Sequence, residues 1–177
     1  MRPEEKEAIR LLEKHGITEA PVRVEDIALG EGAQIARHRF AGHESGFILR
    51  DEGLTIIGVN TQTSRRRQRF TVAHELGHLI LHHGKPLIVD HSVRVNFRDD
   101  ISSMATDLEE IEANAFAAAL LMPPSLLFNH LKEYATKIAQ TDTALNREDL
   151  VAQMAREFDV STEAMGYRLI NIGILAA

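Results

Sequence analysis

The stretch Ala73-His74-Glu75-Leu76-Gly77-His78-Leu79 constrains this chain more than any other. Residues four apart on an α-helix share a face and lie about 6 Å apart along its axis. Two imidazoles so placed can converge on one Zn2+ ion through bonds of about 2.0–2.1 Å. Glu75 is turned off that stripe by one residue, about 100°, so its carboxylate can flank the ion and take a proton from an attacking water. The bland alternative is an amphipathic helix with two structural histidines. The apolar setting argues against it, because two buried imidazoles and a buried carboxylate cost free energy unless each is satisfied.

A catalytic zinc takes three protein ligands and keeps one position open. His82 continues the stripe but falls about 12 Å along the axis from His74, too far to share an ion. It remains a candidate supporting residue. The arrangement with a glycine three residues after the second histidine, and a third histidine three further on, fails because Leu81 and Gly84 occupy those positions. The third ligand is therefore expected from another helix.

The apolar run after residue 108 carries Glu109, Glu110, Glu112 and Asn114 near its start. Glu110, Ala113, Asn114, Ala117 and Leu121 share one helical face, and its small residues would let that helix approach Gly77 closely. Glu110 is the preferred ligand, and Glu112, on nearly the opposite side, is the alternative. Asn114, one turn after Glu110, could hydrogen-bond a ligand histidine. Zn2+ is the expected ion, although such donors also tolerate Mn2+ or Fe2+.

The rest of the chain reads as α+β. Helical signals cover residues 3–15, 24–28, 64–83, 108–122, 124–137, 147–158 and 162–172. Strand signals cover 34–39, 46–50 and 55–60. This predicts a small sheet of about three strands packed on a helical core, followed by a helical tail. One domain is expected: a helix and sheet over 1–63, the metal-binding helices over 64–135 and the tail over 146–177. Residues 85–107 read as irregular, with Val93, Val95 and Phe97 alternating as in a short strand. Strand 55–60 is proposed as an edge that pairs with an extended peptide.

Charge narrows the partners. The net charge of −6 gives no general basic face for nucleic acid. The tail resembles a helix-turn-helix in outline, yet residues 147–177 hold three arginines, no lysine and five acids. Direct DNA reading is therefore disfavoured and packing against the core expected. The basic run Ser64-Arg65-Arg66-Arg67-Gln68-Arg69 opposes the helix dipole, so it calls for carboxylates, with Asp99, Asp100 and Asp107 as candidates. Tyr167 and Arg168 are candidate transition-state stabilisers by residue type alone. The absence of cysteine removes disulfides and thiolate sites. The charged start and the lack of an apolar run near ~20 residues predict a cytoplasmic protein with no membrane partner.

Two blocks, residues 67–78 (RQRFTVAHELGH) and 110–123 (EIEANAFAAALLMP), together resemble the ImmA/IrrE family of bacterial and phage metallopeptidases. The ending Val160-Ser161-Thr162-Glu163-Ala164-Met165, with Arg168-Leu169, is similar to that family's tail. The resemblance implies a gluzincin-like zincin core with Glu110 as third ligand. It also implies a cytoplasmic endopeptidase that cleaves a protein substrate, a repressor or antitoxin of the helix-turn-helix type. The rival expectation is a non-catalytic zinc-containing regulator that binds a transcription factor or DNA through the tail.

Overall fold

Pro3 at the first helical position, acids in the first turn and Gly16 at φ +62° beyond the last turn delimit the first helix, α1 (Pro3–Lys14). The computed structural model describes residues 1–42, 44–51, 53–81, 87–91, 103–140 and 146–176, with backbone only at 87–91 and 103–107. After α1 come α2 (Val24–Gly30), β1 (Ala33–His38), β2 (Glu44–Asp51), β3 (Leu54–Asn60) and α3 (Arg65–Ile80). Then follow β4 (Leu87–His91), α4 (Ser103–Leu121), α5 (Pro124–Ala139), α6 (Arg147–Phe158) and α7 (Thr162–Asn171).

The architecture is α+β, with a four-stranded sheet in the order β1-β3-β2-β4 set against the helices. β1 runs parallel to β3, while β2 is antiparallel to both β3 and β4. β4 is the strand beyond the expected three. It lies a few residues before the alternation at Val93, Val95 and Phe97, which is outside the described residues.

The peptide-pairing role proposed for residues 55–60 does not stand. β3 is an inner strand, with Ile57 opposite Ile35 on one side and Ile48 on the other. Val59 likewise faces both Arg37 and Gly46. Its ladder positions are already used, so it offers no edge to a peptide.

α4 begins earlier than expected, at Ser103 rather than Leu108. Residues 103–107 contain no glycine or proline, so nothing stops the helix from propagating back past its apolar part. α6 and α7 start where their caps predict. Asn146 Oδ1 accepts from Glu148 N–H, and Ser161 Oγ accepts from Ala164 N–H.

One core cluster gathers side chains from both ends of the chain. Leu11 of α1, Ile57 of β3, Leu76 of α3, Leu120 of α4, Phe158 of α6 and Leu169 of α7 all belong to it. The tail thus packs on the core, as its charge predicts. Among the described residues no single helix is long and apolar enough to cross a membrane.

The contact that positions the site is between α3 and α4. A side chain at Gly77 would come within 3.1 Å of Phe116 and 3.2 Å of the Ala113 backbone. Glycine on one helix and alanine on the other therefore set the crossing distance. On its other side α3 rests on the sheet, where Gly46 of β2 lies against Thr71 and Glu75.

Candidate metal centre

Residues 71–78 are buried on every side of α3, so polar groups there must find partners within the protein or a ligand. His74 Nε2 and His78 Nε2 are 3.1 Å apart. Glu110 of α4 brings Oε2 to 3.1 Å from His74 Nε2 and Oε1 to 3.3 Å from His78 Nε2. A tetrahedral ion with bonds of about 2.0–2.1 Å needs donor atoms about 3.3 Å apart. The cluster meets that spacing, and among the described residues it is the only group of three or more such side chains close enough to hold a metal.

The protonation pattern suits a cation. Asn114 Oδ1 lies 3.1 Å from His74 Nδ1, a geometry in which Nδ1 carries the proton and Nε2 presents its lone pair. Burial works to raise the Glu110 carboxyl, but hydrogen bonds and positive charge from the two imidazoles more than offset it and hold Glu110 well below the usual carboxylate range, so a divalent cation at this point would take the place of the imidazole protons. A charged carboxylate and two imidazole nitrogens thus face one point. The chemistry of these donors fits a divalent ion of the zinc type.

Glu75 is fully buried and stands outside the cluster of three, as its offset on the helix predicts. It lies in the field of Arg50 on β2, whose Nη2 donates to the His78 carbonyl at 2.5 Å. Burial pulls that guanidinium below its ordinary value, and the Glu75 charge works against the shift. Arg50 escaped the sequence reading, because strand register alone does not reveal which residue will sit beneath a helix.

The structure brings His74, His78, Glu110 and Asn114 together. Glu112 is exposed and outside the cluster. His82 lies outside the described residues. Arg168, a candidate by residue type alone, is engaged in ties within the fold. Its Nη1 donates to Glu5 Oε1 at 2.7 Å and its Nε to the Met122 carbonyl at 3.1 Å, tying α7 to α1 and to the end of α4. Tyr167 is exposed.

The basic run at the start of α3 does find a carboxylate, but it is Asp159. Arg65, Arg66 and Arg69 approach it at 2.9, 3.6 and 3.4 Å. Asp99 and Asp100 lie outside the described residues, as does the side chain of Asp107. No local pattern pointed to Asp159, which is separated from the run by most of the chain.

A cavity of about 770 Å3 opens beside the cluster, between the start of α3, the middle of α4 and α7. Phe70 and Asn114 line it; Asn114 bonds His74, and the Phe70 ring lies 6.3 Å from the His74 ring, centroid to centroid. Phe70 could have been found from sequence, since it precedes His74 by one helical turn.

Comparison with known proteins places these features in a family. The model of the IrrE N-terminal-like domain matches residues 25–170. The radiation response metalloprotease IrrE of Deinococcus deserti is 34% identical over 115 residues, which is 64% of this chain and 35% of that protein. Among solved structures, a Mycobacterium tuberculosis transcriptional regulator superposes with a TM-score of 0.54 at 16% identity. That superposition covers 96% of this chain and 47% of the regulator, and it speaks for the fold alone. The chain thus spans about a third of the curated relative and under half of the solved one.

Proposed function

Because this chain belongs to the family of IrrE N-terminal-like domains, we propose that it is a zinc-dependent endopeptidase acting on a regulatory protein. The observation that carries this reading is the spacing of the His74, His78 and Glu110 donor atoms, with the buried Glu75 one residue from the first of them. His74 and His78 would hold the ion through Nε2 and Glu110 through its carboxylate. When bound, zinc supplies a Lewis acid that polarises the scissile carbonyl and makes water acidic enough to attack at neutral pH.

Every other part of the reaction falls to the chain. Glu75 takes a proton from the attacking water on a carboxylate oxygen and delivers it to the leaving amine nitrogen. Arg50 keeps positive charge near Glu75, the proposed base. Asn114 holds the His74 ring in the tautomer and orientation that ligation needs. The substrate we propose is a repressor or antitoxin of the helix-turn-helix type, met in the cytoplasm.

Co-expression with helix-turn-helix regulators encoded beside the gene tests this reading, with products resolved by mass spectrometry. Wild type should cut one of them, and Glu75→Gln, still carrying one zinc, should not. Cleavage that survives Glu75→Gln would defeat the chemistry. Zinc-loaded wild type that binds a regulator without cutting it would favour the non-catalytic reading.

A further inference from the structure

His78, the second imidazole donor, sits in the last turn of its helix. α3 ends at Ile80, and the Leu81 N–H closes that turn on the Gly77 carbonyl at 2.9 Å. Helix ends open more readily than helix middles, because the outermost carbonyls have no partner further along the helix. Opening of this turn would carry the His78 ring away from Glu110 Oε1 and His74 Nε2, which lie 3.3 and 3.1 Å from its Nε2. His74 lies one turn deeper in α3 and meets Asn114 of α4. The sheet supplies a hold of a different kind on His78.

β2 runs along α3. Gly46 lies against Thr71 and Glu75 at one end of the contact, and Arg50 meets His78 at the other. Gly46, Ile48 and Arg50 alternate onto one face of the strand, and Ile48 between them is fully buried. Four residues of strand advance about 13 Å and seven residues of helix about 10.5 Å, so the two elements keep pace over this stretch. At its far end Arg50 Nη2 donates to the His78 carbonyl oxygen at 2.5 Å. The arginine is half-buried, a setting in which a charge-assisted hydrogen bond is stronger than one between neutral groups in water.

We infer that Arg50 is a positioning residue for the metal. By holding the His78 carbonyl it keeps the last turn of α3 closed, and so keeps His78 Nε2 aimed at the point it shares with His74 and Glu110. The inference rests on the metal-binding part of the peptidase reading and is independent of hydrolysis. Methionine at position 50 would keep the bulk of the stem and lose the donor, whereas lysine would keep a charged donor without the fork.

Two measurements on the full chain test it. Competition against a chromophoric chelator gives zinc affinity, and NMR of the metal-free protein gives amide hydrogen exchange. Arg50→Met should bind zinc about 10–100-fold more weakly than wild type, and Arg50→Lys should recover most of that loss. In metal-free Arg50→Met the Leu79, Ile80 and Leu81 amides should exchange about tenfold faster, while those of Val72 and Ala73 in the middle of α3 keep their wild-type rates. An arginine that only stabilised the fold would speed all of these amides together and leave zinc affinity in the folded protein untouched. Wild-type zinc affinity in a folded Arg50→Met, or uniformly faster exchange along α3, therefore overturns the inference. Should Arg50→Met fail to fold, Arg50→Lys and Arg50→Gln carry the test: affinity should fall from wild type through Lys to Gln, and wild-type affinity in both overturns the inference. His78→Ala separates this claim from the reading beneath it. If His78→Ala loses zinc while Arg50→Met holds it as wild type does, the inference alone falls. If His78→Ala binds zinc as tightly as wild type, or wild type binds none, the metal reading falls and the inference with it.

Discussion

Asn114 and His74 meet across the contact of α4 with α3, the amide oxygen of one 3.1 Å from Nδ1 of the other. The pairing turns a buried imidazole, which could carry its proton on either nitrogen, into one whose Nε2 faces His78 and Glu110. It is available only because Gly77 and Ala113 let the two helices approach closely.

Removing that oxygen should weaken the metal site without unfolding the protein. Asn114→Ala is expected to lower zinc affinity by about 10–100-fold, measured by competition against a chromophoric chelator. Asn114→Asp, which keeps an acceptor, should lose less. Unchanged affinity in Asn114→Ala would remove Asn114 from any part in holding His74.

The junction of sheet and helix gives a second expectation. A methyl group at Gly46 would collide with the Thr71 side chain and come within 2.7 Å of the Gly58 carbonyl and 3.5 Å of Glu75 Oε1. Backbone cannot yield as a side-chain tip can, so Gly46→Ala should cost about 1–3 kcal/mol in urea unfolding. Hydrolysis should fall further than the lost stability explains, because the intrusion displaces the proposed base. Wild-type stability in Gly46→Ala would show that β2 can move away from Thr71 and the Gly58 carbonyl without cost.

These two positions also show what could be read from sequence and what could not. His74, Glu75 and His78 announce themselves by spacing, and the face joining Glu110 to Asn114 follows from helical period, since both are local patterns. The α3–α4 approach was legible too, because only small residues permit it. Non-local facts were hidden. That β3 would be an inner strand depends on β1 pairing with it in parallel, which no single segment encodes. Arg50 beneath α3, Asp159 against the arginine run and Arg168 clamped to Glu5 all join residues far apart in sequence, where periodicity carries no signal.

Asp159 is expected to contribute chiefly through charge. It adopts φ 51°, the left-handed conformation that Asn also tolerates, so Asp159→Asn changes the electrostatics with little backbone penalty. The loss should be about 1 kcal/mol at low ionic strength and should shrink in part as salt is added, because Arg65 and Arg66 reach Asp159 from exposed and half-exposed positions while Arg69 is largely buried. A salt-independent loss in chemical unfolding would mean that Asp159 acts through packing or backbone conformation instead.

The clamp between α7 and α1 should make stability depend on acid in a particular direction. Burial tends to raise the Glu5 carboxyl, but the Arg168 hydrogen bond, the Arg2 N–H and the Arg168 charge outweigh it, leaving Glu5 below its ordinary value of 4.5. A carboxylate depressed in the folded state binds its proton more weakly there than in the unfolded chain. Its stabilisation is therefore complete above the unfolded value and is lost as pH falls through the lower folded one. Glu31, held down by Lys14 and His15 against its own burial, works in the same sense. Thermal unfolding of wild type and Glu5→Gln should differ most above pH of about 5, and the gap should narrow steadily below about 4. Glu5→Gln should cost roughly 1–2 kcal/mol near neutrality, because an amide accepts from Arg168 less strongly than a carboxylate. A gap that widened in acid would reverse the sign and show that Glu5 is not held ionised by Arg168.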